Sequence, residues 1–425
     1  MTRTRQSALT FLLGLLTVGT AAAQAQAAKP KKPKPRHEGV SVEFDRYPTL
    51  RAGEWLRMDF KVRLQSDLRA FYPDIATDEG TFDFRRARMS VEGWLFRELE
   101  YELDAAVDEL RIRDAYINYR GLRDLQLRVG QFKIPFGLDQ LMPPQRLDFV
   151  FRSRIGDELA PQRDIGAMLH GRVFERGLGY EFGWFYGSGE NARDSDGNNT
   201  REHTWAARIT GTPLRLLRVP KWMKTMELGA ASTLGKAPSG LYSSRLRTVA
   251  NYNATERYWV QGYRHRLGGE MNWLTGPFSL RAEVMHMRVA RRNQSLFATD
   301  LPGLIMRGWY LSGTWLVTGE TKEDRIDPAR PLFQGGFGAI ELAGRYDQMR
   351  VGSATDAGQP LRNPRAANVL RNSDRVWTLG VNWFLNVWGR IQLNYIHETI
   401  EDPLRAPIEG RTAFRTFVTR FQFVM

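Results

Sequence analysis

The sequence predicts an all-β protein, a 16-stranded antiparallel transmembrane β-barrel. Two observations predict this fold: long stretches of alternating apolar and polar residues, and connections between them that alternate in length. From Leu56 to Ala70, every even position is apolar or small, and every odd position is charged or carries an amide. Successive residues of a strand point to opposite faces, so this period gives one apolar and one polar face. Fifteen residues at about 3.3 Å each span about 50 Å, which suits a tilted strand that crosses a bilayer.

Residues 1–27 have the composition of a secretory signal peptide. Arg3 and Arg5 precede an apolar run, and the Ala-Gln-Ala sequence at 25–27 offers a cleavage site. No later stretch approaches the ~18 consecutive apolar residues that a spanning helix needs, so a spanning protein of this composition has to be a closed barrel. We therefore expect export to the outer membrane of a Gram-negative bacterium, with outer-membrane lipid as a partner.

The segment 28–54 separates the signal peptide from the predicted barrel, which occupies 55–425. It begins with a Pro- and Lys-rich stretch that we expect to be a disordered periplasmic tether. An alternative interpretation makes 38–47 a further strand, which would upset the even strand number. The chain has no cysteine, which excludes a disulfide framework and a thiolate site.

Sixteen segments carry the strand pattern. They are 55–70, 82–96, 99–108, 112–120, 124–133, 165–175, 178–188, 203–212, 225–234, 264–274, 277–289, 306–319, 336–348, 374–385, 390–400 and 414–424. Long connections alternate with tight turns, as extracellular loops and periplasmic turns do in outer-membrane barrels. Three connections break the rule: 109–111 is short, and 213–224 and 320–335 are long.

Aromatic residues on the apolar phase support a membrane location. They lie near several strand ends, where interfacial girdles belong: Trp184, Tyr186, Trp273, Trp309, Trp315, Trp377, Trp383 and Tyr395. A water-soluble β-barrel of this size would need apolar residues inside, and here the opposite face is polar. Sixteen strands enclose enough space for an aqueous channel.

Basic residues, mostly arginine, dominate the charge of the chain, which is formally +14. The planar guanidinium binds phosphate or carboxylate at two points and stays charged at any relevant pH. Rings of such side chains favour anions in pores. The inward phase of the predicted strands carries Arg57, Lys61, Arg63, Arg86, Arg88, Arg128, Arg208, Arg264, Arg266 and Arg281. Inward acids such as Glu92 and Asp104 leave open that many of these cations are paired and the pore is weakly selective.

The connection 134–164 is about twice as long as most others, and we expect it to fold into the lumen as a constriction loop. Lys133 lies at its base, and the loop itself carries Arg146, Arg152, Arg154 and Arg163. A narrow cleft of one charge sign raises the local concentration of counter-ions. The sequence therefore predicts an electrostatic filter for anions.

Several stretches resemble the phosphate-selective porin O and P family. The clearest is 127–153, with Gly-Gln-Phe-Lys at 130–133 followed by Pro-Phe-Gly-Leu at 135–138; the segments 335–349 and 377–398 resemble its late strands. The resemblance implies a trimeric outer-membrane channel of the porin type for phosphate or other small anions. Arg146 stands where phosphate channels of the family place lysine, and the chain ends in Met425 instead of an aromatic residue.

Other functions have weaker support in the sequence. The alternatives are a general or weakly selective diffusion porin for another solute and an outer-membrane barrel hydrolase, but the six histidines are scattered and form no catalytic spacing. The sequence 194–199 (DSDGNN) has the start of a calcium loop without its glycine and bidentate glutamate. We predict no enzyme activity, no cofactor, no metal site and no nucleic-acid partner.

Overall fold

The computed structural model describes residues 39–74, 82–122, 124–175, 177–187, 189, 202–243, 246–356 and 358–425. An antiparallel sheet of sixteen strands closes on itself into a barrel, which confirms the predicted fold class. In chain order the strands are β1 (Val40–Phe44), β2 (Pro48–Ala52), β3 (Leu56–Tyr72), β4 (Phe82–Leu95), β5 (Leu99–Ala106), β6 (Arg111–Tyr119), β7 (Gln126–Lys133), β8 (Arg163–Val173), β9 (Leu178–Phe185), β10 (Thr204–Gly211), β11 (Glu227–Ser243), β12 (Arg257–Thr275), β13 (Phe278–Arg291), β14 (Leu301–Leu316), β15 (Ala339–Ser353), β16 (Pro360–Leu361), β17 (Asn368–Val369), β18 (Asn372–Phe384), β19 (Gly389–Ile400) and β20 (Ala413–Val424). The barrel consists of β3–β15 and β18–β20.

The last strand closes the barrel against the first. β20 pairs with β3 from Arg415 opposite Tyr72 to Val424 opposite Arg63. The terminal Met425 continues this ladder, because its backbone exchanges two hydrogen bonds with Val62 at 2.8 and 2.9 Å. The backbone of the final residue thus takes part in closure although its side chain is not aromatic.

The two faces of the wall have the polarity that the sequence predicts. On β3, Phe60 and Leu64 are 40% and 41% exposed on the outside, whereas Gln65 and Asp67 are fully buried on the inside. The outer face carries exposed tryptophans such as Trp315. Apolar side chains therefore face the surroundings, as expected of a wall in contact with lipid.

The two ends of the barrel differ in the length of their connections. Short turns at 96–98 and 276–277 lie at one end, and long connections such as 134–162 and 354–371 lie at the other. In outer-membrane barrels the long connections are extracellular, which orients the wall. Of the predicted exceptions, the connections around 213–224 and 320–335 are indeed long, at the short-turn end.

The predicted long connection 235–263 is wrong, because most of it is strand. β11 continues to Ser243 and β12 begins at Arg257. The ladder between them shifts register after Ala237 opposite Gly262 and resumes at Gly240 opposite Val260. This bulge places Pro238 where no ladder hydrogen bond from its nitrogen is required.

The N-terminal part of the described chain forms a hairpin. β1 pairs with β2, and β2 pairs with the start of β3 from Thr49 opposite Asp59 to Ala52 opposite Leu56. Residues 40–52 are therefore ordered, and the alternative strand at 38–47 overlaps β1. The barrel still has sixteen strands, because β1 and β2 extend it at one end. The predicted signal peptide and the Pro- and Lys-rich stretch up to residue 38 lie outside the described residues.

The connection 134–162 enters the barrel. Phe136, Ile155 and Leu159 are fully buried and pack with methionines from the inner face, including Met285 and Met349. Its only helical structure is one turn, Leu138–Leu141, the short helix Arg154–Glu158, and a 3₁₀ turn between them. In the described part of the chain, helices are too short or too polar to cross a membrane.

Candidate functional site

A carboxylate on β13 holds the start of the segment 134–162. Glu283 accepts hydrogen bonds from the backbone N–H groups of Leu138 at 2.6 Å and Asp139 at 2.8 Å. These are among the free N–H groups at the start of the helical turn, which favour an anion. Gly137 precedes the turn with φ 81°, and a Cβ there would meet the Met285 side chain at 2.7 Å. The positive φ favours glycine here, because a residue with a Cβ is strained in this backbone conformation.

Two predicted filter residues bind the other end of the same helical turn. Lys133 donates to the carbonyl oxygens of Gln140, Leu141 and Met142 at 2.6, 3.1 and 3.1 Å. Arg152 donates to the carbonyl oxygens of Asp139 and Met142. Cations are favoured where helical carbonyls lack partners. The charges of Lys133 and Arg152 therefore serve mainly to position the segment.

The tip of the segment reaches the opposite side of the barrel. Asp148 forms ion pairs with Arg281 on β13 and with Lys322, whose Nζ lies 2.7 Å away. Farther on, the Val150 N–H donates to Asn394 at 2.8 Å and its carbonyl accepts from Arg420 at 2.8 Å. The segment is thus fastened to β13, β19 and β20, and it leaves the side formed by β3–β9 open.

Burial and the two cations act in opposite directions on Asp148. Desolvation raises the pKa of this carboxyl, but Arg281 and Lys322 outweigh desolvation and lower the pKa to about 2. Asp148 is therefore ionised at neutral pH and holds both cations. Arg154, farther along the segment, donates to the Arg247 carbonyl and lies near Asp374 and Glu398.

A cavity of about 390 Å³ lies between the segment and the inner face of β3–β9. Seven basic and five acidic residues line it, so positive charge is in excess. The bases are Lys61, Arg63, Arg88, Arg128, Lys133, Arg146 and Arg163, and the acids are Glu92, Glu102, Asp104, Asp114 and Glu181. Lys61, Gln145 and Arg146 also line a second cavity, of about 140 Å³, toward the short-turn end. The two cavities therefore adjoin at these three residues.

Eight of the fifteen predicted residues line these two cavities: Lys61, Arg63, Arg88, Arg128, Lys133, Arg146, Arg163 and Arg281. The other seven lie elsewhere along the wall or within the segment. They are Arg57, Arg86, Arg152, Arg154, Arg208, Arg264 and Arg266. The inward phase was therefore sufficient to place a residue inside, but not to place it beside the cavities.

Several of these cations form ion pairs with carboxylates among the described residues. Such pairs include Arg57–Asp59, Lys61–Glu92, Arg63–Asp104, Arg146–Asp324, Arg208 with Glu181 and Glu270, and Arg281–Asp148. Pairing reduces the field that each cation contributes to the interior. Arg264 and Arg266 are fully buried on β12, and Arg266 contacts the Thr233 hydroxyl at 3.4 Å.

Arg88 and Arg128 differ from these paired residues. Arg88 is 7% exposed, and its Nε and Nη1 have no hydrogen-bond partner among the described residues. The Arg128 guanidinium lies 4.3 Å from the centre of the Tyr116 ring, and its Nε also lacks a partner there. A buried guanidinium nitrogen without a hydrogen-bond partner is costly unless an anion or water solvates it. Both side chains line the larger cavity. Arg86 donates to Gln65 at 3.0 Å.

Some residues of the site escaped the sequence-based prediction. Arg345, Arg390 and Arg420 occupy the inward phase of their strands, so the alternation itself was a sufficient signal for them. Lys322 lies in a connection without periodicity, and no pattern marked it. Its burial at 4% exposure became evident only from the structure.

Three carboxylates on the cavity wall lie close enough to hold a metal ion. Oxygens of Glu102, Asp104 and Asp114 lie within 4.8 Å of one another. Arg163 binds Asp114 through two hydrogen bonds of 3.0 and 2.8 Å, and Tyr116 donates to Glu102 at 2.8 Å. Protein donors therefore already occupy much of this group. The calcium-like sequence at 194–199 lies outside the described residues.

Comparisons with known proteins agree with this architecture. The family model for phosphate-selective porin O and P matches residues 58–425. Porin O of Pseudomonas aeruginosa is 21% identical over 403 residues, covering 85% of this chain and 87% of that protein. The OmpT outer-membrane protein of Vibrio cholerae superimposes with a TM-score of 0.56 at 10% identity, covering 87% of this chain and 97% of that one. An anion-selective porin from Comamonas acidovorans gives 0.53 at 10% identity, covering 87% and 99%.

Proposed function

Because the chain belongs to the phosphate-selective porin O and P family and is an outer-membrane porin, we propose that it forms a water-filled, anion-selective channel. The path runs along the inner face of β3–β9, beside the segment 134–162. It passes from the larger cavity to the smaller one at Lys61, Gln145 and Arg146. Selectivity comes from basic side chains that form no ion pair within the described part of the chain.

The observation that carries this proposal is the environment of Arg88. Two of its nitrogen atoms have no hydrogen-bond partner in the described ranges, although the side chain is almost fully buried at the cavity wall. A passing anion can accept hydrogen bonds from these atoms in a medium of low dielectric, where charge-assisted bonds are strong. Arg128 on β7 is half-buried, its Nε lacks a partner among the described residues, and its Tyr116 contact holds the guanidinium in place.

Transport requires that this binding stays weak enough to release the anion. Acids beside the cavity limit how tightly an anion binds, because Asp104 pairs with Arg63 and Glu92 pairs with Lys61. An anion therefore meets a few shallow sites in series, as rapid conduction requires. Arg146 lies at the junction of the two cavities. It is 42% exposed and 3.3 Å from Asp324, so its contribution to anion selectivity is reduced by this pairing.

We propose inorganic phosphate as a favoured anion. Two oxygens of one phosphate can accept hydrogen bonds from the two N–H groups of a guanidinium, whereas chloride is a single atom and cannot bind at two points. The planar-bilayer test measures the reversal potential of purified protein under a potassium chloride gradient and then adds phosphate. We expect a reversal potential whose sign indicates anion selectivity, and a chloride current that falls as phosphate is added. A cation-selective reversal potential contradicts the channel proposal, and an unchanged chloride current contradicts the phosphate preference alone.

We also propose that three copies of the chain assemble in the membrane. The proposal rests on family membership, and the exposed apolar outer face provides surface for both lipid and neighbouring subunits. Light scattering of the unheated, detergent-solubilised protein tests it. A protein mass of three chains supports the assembly, and a mass of one chain contradicts it.

A second candidate function rests on one contact. Ser232 Oγ lies 3.1 Å from His265 Nε2 on the outer face of β11 and β12, and a serine beside a histidine is the core of a hydrolase triad. No carboxylate or amide contact orients this imidazole within the part of the chain described. Labelling by a fluorophosphonate probe that disappears in Ser232→Ala would favour a hydrolase, and absence of labelling favours the channel.

A further inference from the structure

A group of arginines lies on the outside of the barrel, away from the proposed path. Arg307 on β14, Arg350 on β15 and Arg375 on β18 all occupy the outward phase and are exposed. Arg307 and Arg350 are direct cross-strand partners, and Arg375 is the partner of Gln348, two residues from Arg350. We call Arg307, Arg350 and Arg375 the outer arginine patch.

The outer arginine patch is electrostatically unbalanced. Like charges directly opposite each other in a sheet repel. These three side chains form no ion pair within the described residues, whereas the neighbouring Arg371 pairs with Asp356. Gln348, with its amide oxygen turned toward Arg350, accepts from that guanidinium at 3.2 and 3.0 Å. A neutral amide orients the cation but does not neutralise it.

The position of the patch relative to the membrane identifies the missing counter-ion. Trp309, Tyr346 and Trp377 lie next to the patch on the same face, with neighbouring ring centres 5.2 and 4.7 Å apart. Such aromatic groups mark the boundary between hydrocarbon and headgroups. The patch lies on the side of this aromatic group that faces the long, extracellular connections, so its arginines are at the level of the outer-leaflet headgroups.

A groove at the patch offers space for a headgroup. It measures about 390 Å³ and is lined by the three arginines together with Arg371, Asn372 and Glu401. The one acid among these six, Glu401, accepts a hydrogen bond from Ser373 at 2.6 Å. The groove therefore has four basic residues and one acidic residue.

We propose that the outer arginine patch binds the phosphate groups of a phosphorylated glycolipid in the outer leaflet. Each guanidinium presents two N–H groups to a phosphate, and basic pockets on membrane proteins bind phosphorylated lipid headgroups in the same way. Acyl chains of the lipid then lie along the apolar face below, which includes Leu311 and Leu379. The bound lipid neutralises the repulsion between Arg307 and Arg350.

Binding of purified, bis-phosphorylated lipid A to the full-length protein in detergent tests the proposal, with phosphatidylglycerol as the comparison lipid. The test variant carries Arg307→Gln, Arg350→Gln and Arg375→Gln. The control variant removes three exposed cations at the opposite end of the barrel through Arg215→Gln, Arg218→Gln and Lys221→Gln. Heat-modifiable gel migration checks that both variants are folded.

The expected result is at least a tenfold loss of lipid A affinity in the test variant and a change of less than twofold in the control. Wild-type affinity should also fall as salt is added, because the contacts are exposed and screened. Equal affinity of the wild type and the test variant would overturn the proposal. So would equal binding of phosphatidylglycerol, or a smaller protein mass in the test variant, which would show that the patch is a subunit contact.

Discussion

The Nζ atom of Lys322 lies 2.7 Å from Oδ1 of Asp148, inside the barrel and almost fully buried. Asp148 belongs to the segment 134–162, which enters from the extracellular end, and Lys322 belongs to the connection 317–338 at the short-turn end. Lys322 also pairs with Glu341 on β15. Two segments that start at opposite ends of the barrel are therefore joined by one buried ion pair.

Removing the charge of Asp148 should loosen this junction. Asp148→Asn leaves Arg281 without its carboxylate and Lys322 with Glu341 alone. Breaking one partner of a buried ion pair leaves an uncompensated charge and costs about 3 kcal/mol of stability. We expect a lower midpoint of urea unfolding, followed by tryptophan fluorescence, and larger fluctuations of the open-channel current.

The pair Arg146–Asp324 provides the matched control, because it joins the same two segments at the surface. Its side chains are 42% and 74% exposed. An exposed pair contributes less than about 1 kcal/mol, so Arg146→Gln should leave the unfolding midpoint almost unchanged. An equal loss of stability in both variants would contradict the role assigned to Asp148.

The same carboxyl should make stability depend on pH in the acid range. Burial opposes ionisation of Asp148, but Arg281 and Lys322 lower its pKa from 3.8 to about 2. A carboxyl with a lowered pKa in the folded state stabilises the fold above its ordinary pKa and loses that contribution as the pH falls toward the folded value. The difference in unfolding free energy between wild type and Asp148→Asn should therefore shrink by about 2 kcal/mol between about pH 5 and pH 2. A constant difference over this range would contradict the assignment.

The sequence predicted the wall better than the segment inside it. Alternation sets which face a residue occupies, so the pattern alone was enough to place Asp67 and Arg88 inside. The segment 134–162 has no such period, and its side chains are placed by contacts with distant strands. Arg281 was predicted to line the lumen, and no pattern could reveal that Asp148, 133 positions away along the chain, approaches it.

Lys133 should affect the order of the segment more than selectivity. It holds three carbonyl oxygens at the end of the helical turn Leu138–Leu141. Lys133→Met removes these bonds, so we expect a noisier open-channel current with less than a twofold change in the permeability ratio. Single-channel recording measures both quantities. A large change in the permeability ratio without added noise would show that Lys133 acts as a filter.

The strand ends that lie near Gly, Pro and Ser residues could not be predicted from the sequence either. The stretch 235–240 has the composition of a turn, and the structure accommodates it as a bulge within β11. Local composition favoured a loop, but pairing with β12 on the other side of the bulge outweighed it. For the same reason the hairpin β1–β2, which depends on pairing with β3, did not stand out from the tether.

Removing an acid from the cavity should strengthen anion selectivity. Asp104 lies 3.9 Å from Arg63 and is 4% exposed. Asp104→Asn leaves the Arg63 charge without its carboxylate, which raises the positive potential of the cavity. We expect the anion-to-cation permeability ratio to increase at least twofold. Glu43→Gln is the control, because Glu43 pairs with Arg51 in the hairpin; a decrease in Asp104→Asn would contradict the account.

The reversal potential of the double variant Arg88→Gln and Arg128→Gln tests the central claim most directly. A unit charge about 4 Å from an anion contributes about 4 kcal/mol at an effective dielectric of ~20, before screening, so even part of that interaction changes permeability severalfold. We predict an anion-selective wild type, a double variant whose permeability ratio falls at least threefold, and an Arg57→Gln control that remains close to wild type because Arg57 is paired with Asp59. A double variant with the reversal potential of the wild type would contradict the account and place the filter elsewhere in the barrel.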